Sequence, residues 1–340
     1  MHERADIPLA ELTTLRLGGP ARQLIEATTD EEVVEAVASA EAQLLVMSGG
    51  SNLVVADAGF DGTVVRVASR GVTVERDRLT IAAGEPWDEA VTFCVANGLS
   101  GVECLSGIPG SAGATPIQNV GAYGQEVSAT ISSVRVFDRS AESVVDLAAA
   151  ECGFAYRTSA FRGSDRHVVL GVTFVLEQSG TAQPVRYTQL ARALDVPLGA
   201  RPPLNEVREA ILALRRSKGM VVDPADPDSV SAGSFFVNPV LAPEALDAVA
   251  ERAGAAPPAW PEHDGRVKTS AAWLIEQAGF RRGYGNGRVG VSSKHTLALV
   301  NRGGATTVEL LALARELRDG VRERYGVELR PEPTLVGVTL

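Results

Sequence analysis

Two glycine-rich segments contain the residues of this chain best suited to hold a ligand. One spans residues 107–124 and reads GIPGSAGATPIQNVGAYG, and the other spans residues 47–53 and reads MSGGSNL. Glycine lets main-chain amides approach a ligand closely and adopts positive φ angles at little cost. Neither segment has the period of an amphipathic helix or of an alternating strand. Together the two loops predict a dinucleotide cofactor held largely by backbone amides.

A third glycine motif is a weaker candidate. Gly285, Gly287 and Gly290 fit the GxGxxG spacing, but arginines precede them and a polar stretch leading to a strand follows. A Rossmann site needs strand, turn and helix in that order, so we interpret the motif as a surface turn. The 47–53 segment also lacks a following helix, because strand character resumes at once. We therefore expect phosphate recognition by loop amides and a nicotinamide nucleotide that binds only transiently.

Composition and charge narrow the class of protein. The 340 residues are enough for two or three domains, and 45% hydrophobic content predicts a sizeable core. A net charge of −10 argues against a nucleic-acid partner. No basic leader and no apolar run of about 18 residues is present, so we expect no membrane association and a cytoplasmic protein.

The cysteines and histidines indicate neither disulfides nor a metal. Cys94, Cys104 and Cys152 are odd in number and lack CxxC spacing. We expect them to be buried thiols in a reducing compartment. The four histidines are scattered along the chain, which predicts no metal centre.

The hydrophobic pattern contains both short strands and helices, which predicts a mixed fold; its α+β class is what the resemblance described below implies. Expected strands lie at 44–47, 53–55, 63–67, 72–75, 79–83, 134–138, 167–176, 234–237 and 297–301. Helices are expected after a Thr29 cap, at 86–96, 205–216, 243–253 and 270–278, and around 310–321. The proline-rich segment 196–204 is typical of a domain hinge.

Six blocks of sequence, in order along nearly the whole chain, resemble the UDP-N-acetylenolpyruvoylglucosamine reductase family. They are LTTLRLGGPA at 12–21, SGGSN at 48–52, the 107–124 segment, FAYR at 154–157, AGSFFVNP at 232–239 and RPEP at 330–333. The VRYTQL segment at 185–190 looks like the type I branch, in which a tyrosine loop folds over the substrate.

The resemblance implies a flavoenzyme of bacterial cell-wall precursor synthesis. Such enzymes bind FAD, use NADPH as the hydride source, and reduce the enolpyruvyl ether of a UDP-sugar to the lactyl ether of UDP-N-acetylmuramate. The implied fold is the two-subdomain FAD-binding fold of the p-cresol methylhydroxylase and vanillyl-alcohol oxidase group, followed by a separate α+β substrate domain. We place the first FAD subdomain at 1–70 with strand 331–340, the second at 71–218, and the substrate domain at 219–330.

The resemblance also implies roles for three residues. Arg157 would stabilise negative charge on the carboxylate, for which its planar fork is suited. Ser234 would supply the proton, although a serine hydroxyl is a poor acid unless its geometry is held. Glu332, fixed between two prolines, would stabilise the enol intermediate.

Cofactor and substrate contacts follow from the same resemblance. The implied FAD-binding residues are Met47, Ser48, Gly49, Gly50, Ser51, Asn52, Gly113, Ala114, Gln118, Asn119 and Gly121. The implied substrate-binding residues are Tyr123, Tyr156, Tyr187, Lys218, Asn238, Trp260, Lys268 and His295. Related enzymes attach flavin covalently through His or Cys, and neither glycine segment contains one, so we expect dissociable FAD. We expect a monomer without an obligate protein partner.

Two other functions stay open at this stage. An FAD-dependent oxidase of an alcohol or hydroxy acid could share the fold and would consume oxygen. A non-catalytic UDP-sugar- or flavin-binding protein would keep the glycine loops and lose Arg157, Ser234 or Glu332, all of which are present.

Overall fold

The computed structural model describes residues 1–40, 43–262, 264–285 and 287–340. It divides into two compact units. The first unit comprises Met1–Ile7, Ala21–Gly50 and Asp61–Ser217. The second unit comprises Pro8–Pro20, Ser51–Phe60 and Lys218–Leu340. Each unit is therefore assembled from three separate stretches of the chain.

Helices and short strands are interspersed along the whole chain, which confirms the α+β class. The strands are β1 (His2–Pro8), β2 (Pro20–Ala27), β3 (Leu44–Met47), β4 (Leu53–Val55), β5 (Phe60–Val67), β6 (Val72–Glu75), β7 (Arg78–Ala82), β8 (Leu99–Ser100), β9 (Gly121–Ala122), β10 (Gln125–Glu126), β11 (Ile131–Asp138), β12 (Ser143–Ala148), β13 (His167–Val175), β14 (Glu177–Gln178), β15 (Ser231–Ser234), β16 (Val240–Leu241), β17 (Ala259–Pro261), β18 (Val267–Thr269), β19 (Val289–Val291), β20 (Ala298–Asn301) and β21 (Thr334–Val336). The α-helices are α1 (Asp30–Ala38), α2 (Trp87–Ala96), α3 (Thr188–Leu194), α4 (Leu204–Arg216), α5 (Pro243–Ala253), α6 (Ala271–Gln277) and α7 (Thr307–Tyr325).

The first unit contains two larger sheets. One has the strand order β1-β2-β5-β3, with β3 and β5 parallel, and the other has the order β12-β11-β13-β7-β6, with neighbouring strands antiparallel. Helices α1 and α2 contribute apolar faces to the same core as these strands. Thr29 caps α1 as expected, because its hydroxyl accepts a hydrogen bond from the Glu32 amide at 3.2 Å.

A smaller core of the first unit lies between α3 and α4. Leu190, Val207 and Ile211 are fully buried in it, together with Val185 and Cys104. Tyr187 immediately precedes α3. This small core holds Val185 and Leu190 on either side of Tyr187 and therefore fixes the position of Tyr187.

The second unit contains three small sheets and the helices α5, α6 and α7. Its sheet orders are β15-β20-β19, β16-β18-β17 and β21-β4, the last pair being parallel. Phe235 and Phe236 are each 1% exposed and lie in one apolar core with residues of α6 and α7. The C-terminal strand β21 pairs with β4, so that Thr334 lies opposite Leu53.

Several predicted elements are confirmed within one or two residues. The strands at 44–47, 53–55 and 72–75 and the helix at 243–253 have the expected bounds. The strand expected at 234–237 lies earlier in the chain, since β15 covers Ser231–Ser234. The residues after it pair with the segment around Pro331 through an isolated bridge at Phe236. Pro331 and Pro333 have no N–H to donate, so a regular ladder cannot continue there.

The hinge expected at 196–204 is wrong. The Ala182 and Val185 amides donate to the carbonyls of Pro202 and Ala200 at 2.7 and 2.9 Å, which ties this segment into the first unit. The nearest division between units falls instead after Ser217. In the described part of the chain, no helix is both long and apolar enough to cross a membrane.

Candidate active site

The two glycine segments meet at Gly49 and Gly110. A Cβ built on Gly49 would lie 2.8 Å from the Gly110 Cα, which is closer than such atoms approach. Gly50 and Gly110 have φ angles of 57° and 108°, a region that favours glycine. The main chains of the two loops therefore lie in direct contact, as expected for a ligand cradle made of backbone.

Neighbouring residues hold this cradle in place. The Ser48 hydroxyl donates to the Val67 carbonyl at 2.7 Å, which fixes the loop to the end of β5. Gly113 donates its amide to the Ala83 carbonyl at 2.9 Å, and a Cβ on Gly113 would lie 2.5 Å from the Ala83 Cβ. Met47 is buried, Gln118 is half-buried and Ala114 is exposed. Met47, Ser48 and Gly113 thus shape the loops from within the protein.

Arg157 lies in a tight hairpin beside the second glycine segment. Ala155 and Thr158 exchange backbone hydrogen bonds of 3.1 and 3.2 Å, leaving Tyr156 and Arg157 at the tip. Arg157 has a φ of 53°, and its Nη2 donates to the Gly121 carbonyl at 2.7 Å. Its guanidinium carbon lies 5.3 Å from the centre of the Tyr156 ring, within cation–π range.

Tyr123 and Tyr187 form an edge-to-face pair. Their ring centres lie 5.5 Å apart with an interplanar angle of 88°. Burial raises the pKa of the Tyr123 phenol, and the positive charge of Arg215 opposes that shift. Tyr187 is 38% exposed. Both predicted substrate tyrosines of this pair therefore share one surface of the first unit.

Arg215 is a further candidate site residue, which the sequence motifs do not indicate. It lies in the last turn of α4, is 8% exposed, and interacts electrostatically with Tyr123 and Asp88. Burial lowers the pKa of its guanidinium. In the sequence Arg215 cannot be told from its neighbour Arg216, because both are cations of one amphipathic helix. Only tertiary packing buries Arg215 and leaves Arg216 exposed.

Ser234 and Glu332 lie on neighbouring segments of the second unit. Ser234 ends β15 opposite Ala298, and the carbonyl of the next residue, Phe235, accepts the Glu332 amide at 2.9 Å. The Asn52 side chain donates to the Glu332 carbonyl at 3.4 Å. Three predicted site residues, Asn52, Ser234 and Glu332, therefore come from adjoining segments although they are far apart in sequence.

His295 lies on the other side of the Ser234 segment. Its Nδ1 accepts the Leu297 amide at 3.1 Å, and the Leu297 carbonyl accepts the Phe235 amide at 2.7 Å. Burial, aided by the positive charges of Lys218 and Arg282, lowers the pKa of His295 to about 4. The imidazole is therefore neutral at neutral pH, and because Nδ1 is an acceptor, Nε2 carries the hydrogen.

Trp260 and Lys268 lie on one face of the sheet β16-β18-β17. They are directly opposite each other in the antiparallel pair of β17 and β18, so their side chains point to the same side. Lys268 donates to a Glu262 carboxylate oxygen at 2.6 Å, while Trp260 is 42% exposed. The Asn238 side chain accepts the Ala271 amide at 2.9 Å, at the start of α6.

Comparison with known proteins identifies the family. A model of the FAD binding domain matches residues 21–147, and a model of the UDP-N-acetylenolpyruvoylglucosamine reductase C-terminal domain matches residues 224–336. The UDP-N-acetylenolpyruvoylglucosamine reductase of Thermobifida fusca is 56% identical over 349 residues, covering 98% of each chain. That of Streptomyces coelicolor is 57% identical over 351 residues, covering 100% of this chain and 92% of the relative.

The chain belongs to the UDP-N-acetylenolpyruvoylglucosamine reductase family. The crystal structure of the reductase from Thermus caldophilus is similar over 98% of this chain and 100% of its own, with a TM-score of 0.69 and 26% sequence identity. Membership in this reductase family makes the protein an FAD-dependent oxidoreductase. The resemblance carried by the six sequence blocks is thereby confirmed.

The glycine cradle fits an FAD nucleotide. The contact with Gly110 leaves no room for a side chain at Gly49, and the φ of 108° at Gly110 favours glycine there, so that a flat cofactor would meet main-chain atoms. The loop from Ser48 to Asn52 follows β3, which is parallel to β5, and loops at the carboxyl ends of parallel strands commonly bind nucleotides. Among the described residues no group of His, Cys, Asp and Glu is arranged to hold a metal ion.

The three cysteines are buried and free. Burial raises the pKa of each thiol, and for Cys94 the value is about 12. All three are therefore protonated and unreactive at neutral pH.

The third glycine motif lies beside strand β19. Gly285 precedes this strand and lies against Gly290, which belongs to it. Asn286, within the motif, and His263 lie outside the described residues.

We predict that Gly49→Ala lowers both stability and FAD content. The added methyl would press against the Gly110 main chain, and overpacking of this kind costs about 1–3 kcal/mol. The midpoint of thermal unfolding and the ratio of flavin to protein absorbance measure the two effects. Gly180→Ala is the matched control, since a Cβ there meets nothing within 4 Å. Equal flavin content and unfolding midpoints in the two variants would contradict the cradle.

We predict that His295 makes the folded state less stable in mild acid. Its folded pKa of about 4 lies below the ordinary 6.5, so the unfolded chain binds the extra proton first. The contribution of His295 to the free energy of unfolding is therefore complete above about pH 6.5, decreases as the pH falls, and is lost below about pH 4, an amount on the order of 3 kcal/mol. Urea unfolding of His295→Gln from pH 4 to pH 7 should show a flatter profile, whereas the same substitution at exposed His2 should not flatten it.

Proposed function

We propose that this protein reduces the enolpyruvyl ether of UDP-N-acetylglucosamine enolpyruvate to UDP-N-acetylmuramate, using NADPH, in peptidoglycan precursor synthesis. The observation that supports this most is the backbone pairing of the Ser234 segment with the Glu332 segment, in a chain of this reductase family. The glycine cradle around Gly49 and Gly110 would hold FAD, which would supply the hydride chemistry that links NADPH to the terminal carbon of the enolpyruvyl group.

We propose that Arg157 binds the carboxylate of the enolpyruvyl group. A guanidinium has five N–H donors in a fixed plane, so its bond to Gly121 is compatible with a second partner. Addition of hydride to the terminal carbon drives electron density towards the carboxylate, and a fixed cation stabilises that charge most in a site from which water is excluded.

We propose that Ser234 donates the proton that completes the reduction. The new C–H bond forms at the carbon that carries the ether oxygen, and the hydroxyl proton moves to it while the serine is reprotonated from solvent. Ser234 is half-buried at the end of β15, with Phe235 and Phe236 anchoring the chain directly after it. Such a fixed position is what a weak acid needs in order to act.

We propose that Glu332 stabilises the enol intermediate. Its backbone is held by the Phe235 carbonyl and by Asn52, between Pro331 and Pro333, which restrict φ on both sides. A carboxyl group with so little backbone freedom loses little entropy when it meets the intermediate.

The remaining predicted contacts are proposals for binding the UDP-sugar. We propose that residues 219–330 form the substrate domain, that residues 1–70 with 331–340 and residues 71–218 form the two FAD subdomains, and that residues 71–218 contribute some of the substrate contacts. Neutral His295 can donate from Nε2 to an anionic oxygen, and Trp260 offers an exposed aromatic face. The other proposed contacts are Tyr123, Tyr156, Tyr187, Lys218, Asn238 and Lys268.

We infer that a single chain is sufficient for the activity and that the protein works in the cytoplasm. NADPH and nucleotide sugars are cytoplasmic metabolites, which supports that location.

We predict that Ser234→Ala separates the two halves of the reaction. Under anaerobic conditions NADPH should still bleach the flavin, because the hydroxyl has no part in that step. Addition of UDP-N-acetylglucosamine enolpyruvate should then reoxidise the flavin at least ~10²-fold more slowly than in the unmodified protein. Absorbance near 450 nm, a generic flavin band, follows both steps.

Ser231→Ala, at the other end of β15, is the control and should reoxidise at close to the unmodified rate. Rapid reoxidation in Ser234→Ala would remove this serine from the mechanism. If the unmodified protein were reoxidised by air and not by the UDP-sugar, the oxidase alternative would be correct.

A further inference from the structure

Three predicted site residues share an unusual backbone conformation. In the described part of the chain, eight residues other than glycine have a positive φ, and Asn119, Tyr123 and Arg157 are among them, at 46°, 49° and 53°. Such conformations cost free energy and persist only where surrounding contacts enforce them. Asparagine tolerates this region better than most residues, whereas arginine does not. The Arg157 conformation therefore needs contacts that hold it.

The Asn119 side chain is directed entirely into the protein. It is 1% exposed, and its Nδ2 donates to Glu126 Oε2 at 2.9 Å and to the Ala155 carbonyl at 3.2 Å. Its Oδ1 accepts the Ser128 amide at 3.1 Å. A carboxamide has only two N–H donors, so both are already used. A cofactor could not take either one without breaking a buried hydrogen bond.

These bonds place Asn119 at the base of the Arg157 hairpin. Ala155, which receives one Asn119 donor, is the residue that closes the hairpin with Thr158. At the tip, the Arg157 guanidinium donates to Gly121, two residues after Asn119, and Arg162 donates to the Arg157 carbonyl. Glu126, the other Asn119 acceptor, packs its Cγ where a Gly121 Cβ would be. Asn119 and Gly121 thus bind the base and the tip of one hairpin.

We propose that Asn119 is a positioning residue for substrate reduction, which sets the Arg157 guanidinium towards the substrate carboxylate, and that it does not contact FAD. This inference rests on the proposed function of Arg157. It replaces the expectation that Asn119 binds the cofactor. Loss of the Ala155 bond frees the hairpin, and a shift of about 1 Å in a reacting geometry can cost ~10²-fold in rate.

Asn119→Gly is the most informative variant. Glycine adopts the positive φ without strain, so the variant removes the three side-chain hydrogen bonds and leaves the backbone conformation accessible. Asn119→Asp is the second variant, since it keeps the shape and places a carboxylate oxygen against the acceptors Glu126 and Ala155. Both are to be measured as FAD-loaded enzyme, with FAD affinity and the rate of flavin bleaching by NADPH recorded separately from reoxidation by the UDP-sugar.

We expect unchanged FAD affinity and bleaching, and reoxidation slower by about tenfold or more. The decisive comparison is with Arg157→Ala. In that background Asn119→Gly should cause no further slowing, because a residue that acts through Arg157 has nothing left to position. Hydrogen–deuterium exchange of the peptide spanning 152–162 should be faster in Asn119→Gly, which is a measurement independent of turnover.

Asn301→Ala is the matched control. Asn301 is also buried, at 6% exposure, and its Nδ2 likewise donates to two backbone carbonyls, those of Leu15 and Arg16, at 3.0 and 3.3 Å. Asn301→Ala should lower the midpoint of thermal unfolding by about as much as Asn119→Gly does. Any slowing of reoxidation that it causes should multiply with the slowing caused by Arg157→Ala.

Three results would overturn the inference: weaker FAD binding in Asn119→Gly, unchanged exchange at 152–162, or slowing that multiplies with that of Arg157→Ala. Failure of the proposed function is a different result. It would be seen in Arg157→Ala alone, as normal reoxidation by the UDP-sugar, whatever Asn119→Gly does to exchange in the hairpin.

Discussion

The contact between the Gly49 and Gly110 main chains is the constraint on which the proposed cofactor site depends. At this distance the first loop cannot carry a side chain at Gly49, and the positive φ of Gly110 favours glycine on the second loop. These loops can therefore contact a nucleotide mainly through their backbone atoms. Ser48 anchors one loop to the end of β5, and Gly113 anchors the other against Ala83. The glycine content of both segments follows from this packing and from the ligand together.

The second unit fixes the backbone of the two residues proposed to act on the intermediate, Ser234 and Glu332. Ser234, Glu332 and Asn52 come from three segments. The pairing of β21 with β4 brings Glu332 to Asn52, and the Phe235 carbonyl, which accepts the Glu332 amide, joins the Ser234 segment to them. The two phenylalanines are buried anchors, and the prolines around Glu332 restrict its backbone. Rigidity here comes from long-range pairing, with little contribution from local helix or strand propensity.

The sequence predicted local features well because their causes are local. The Thr29 cap, the α5 bounds and the strands on either side of SGGSN follow from hydrophobic period and capping residues. The end of β15 at Ser234 was missed because it depends on pairing with proline-containing residues about a hundred positions away. The hinge expected at 196–204 was wrong because carbonyls between the prolines accept hydrogen bonds from 182–185, which composition cannot reveal.

The site residues show the same difference between features with local causes and features with tertiary causes. Motifs identified which residues to consider, but not which atoms they would use. Asn119 looked like a cofactor contact from its place in the glycine segment, whereas its side chain bonds are all internal. Arg215 has no signal in the linear pattern that sets it apart from Arg216, and it is buried near Tyr123. Both differences arise from tertiary contacts of polar side chains, for which the linear pattern has no signal.

The central claim is that the glycine loops hold FAD without a covalent bond. The most direct measurement is the flavin spectrum of the purified protein before and after acid denaturation. We expect a yellow protein with one FAD per chain. When acid precipitates the protein, all of the yellow colour should pass into the supernatant. A colourless protein that takes up no added FAD, or flavin that remains in the pellet, would contradict it.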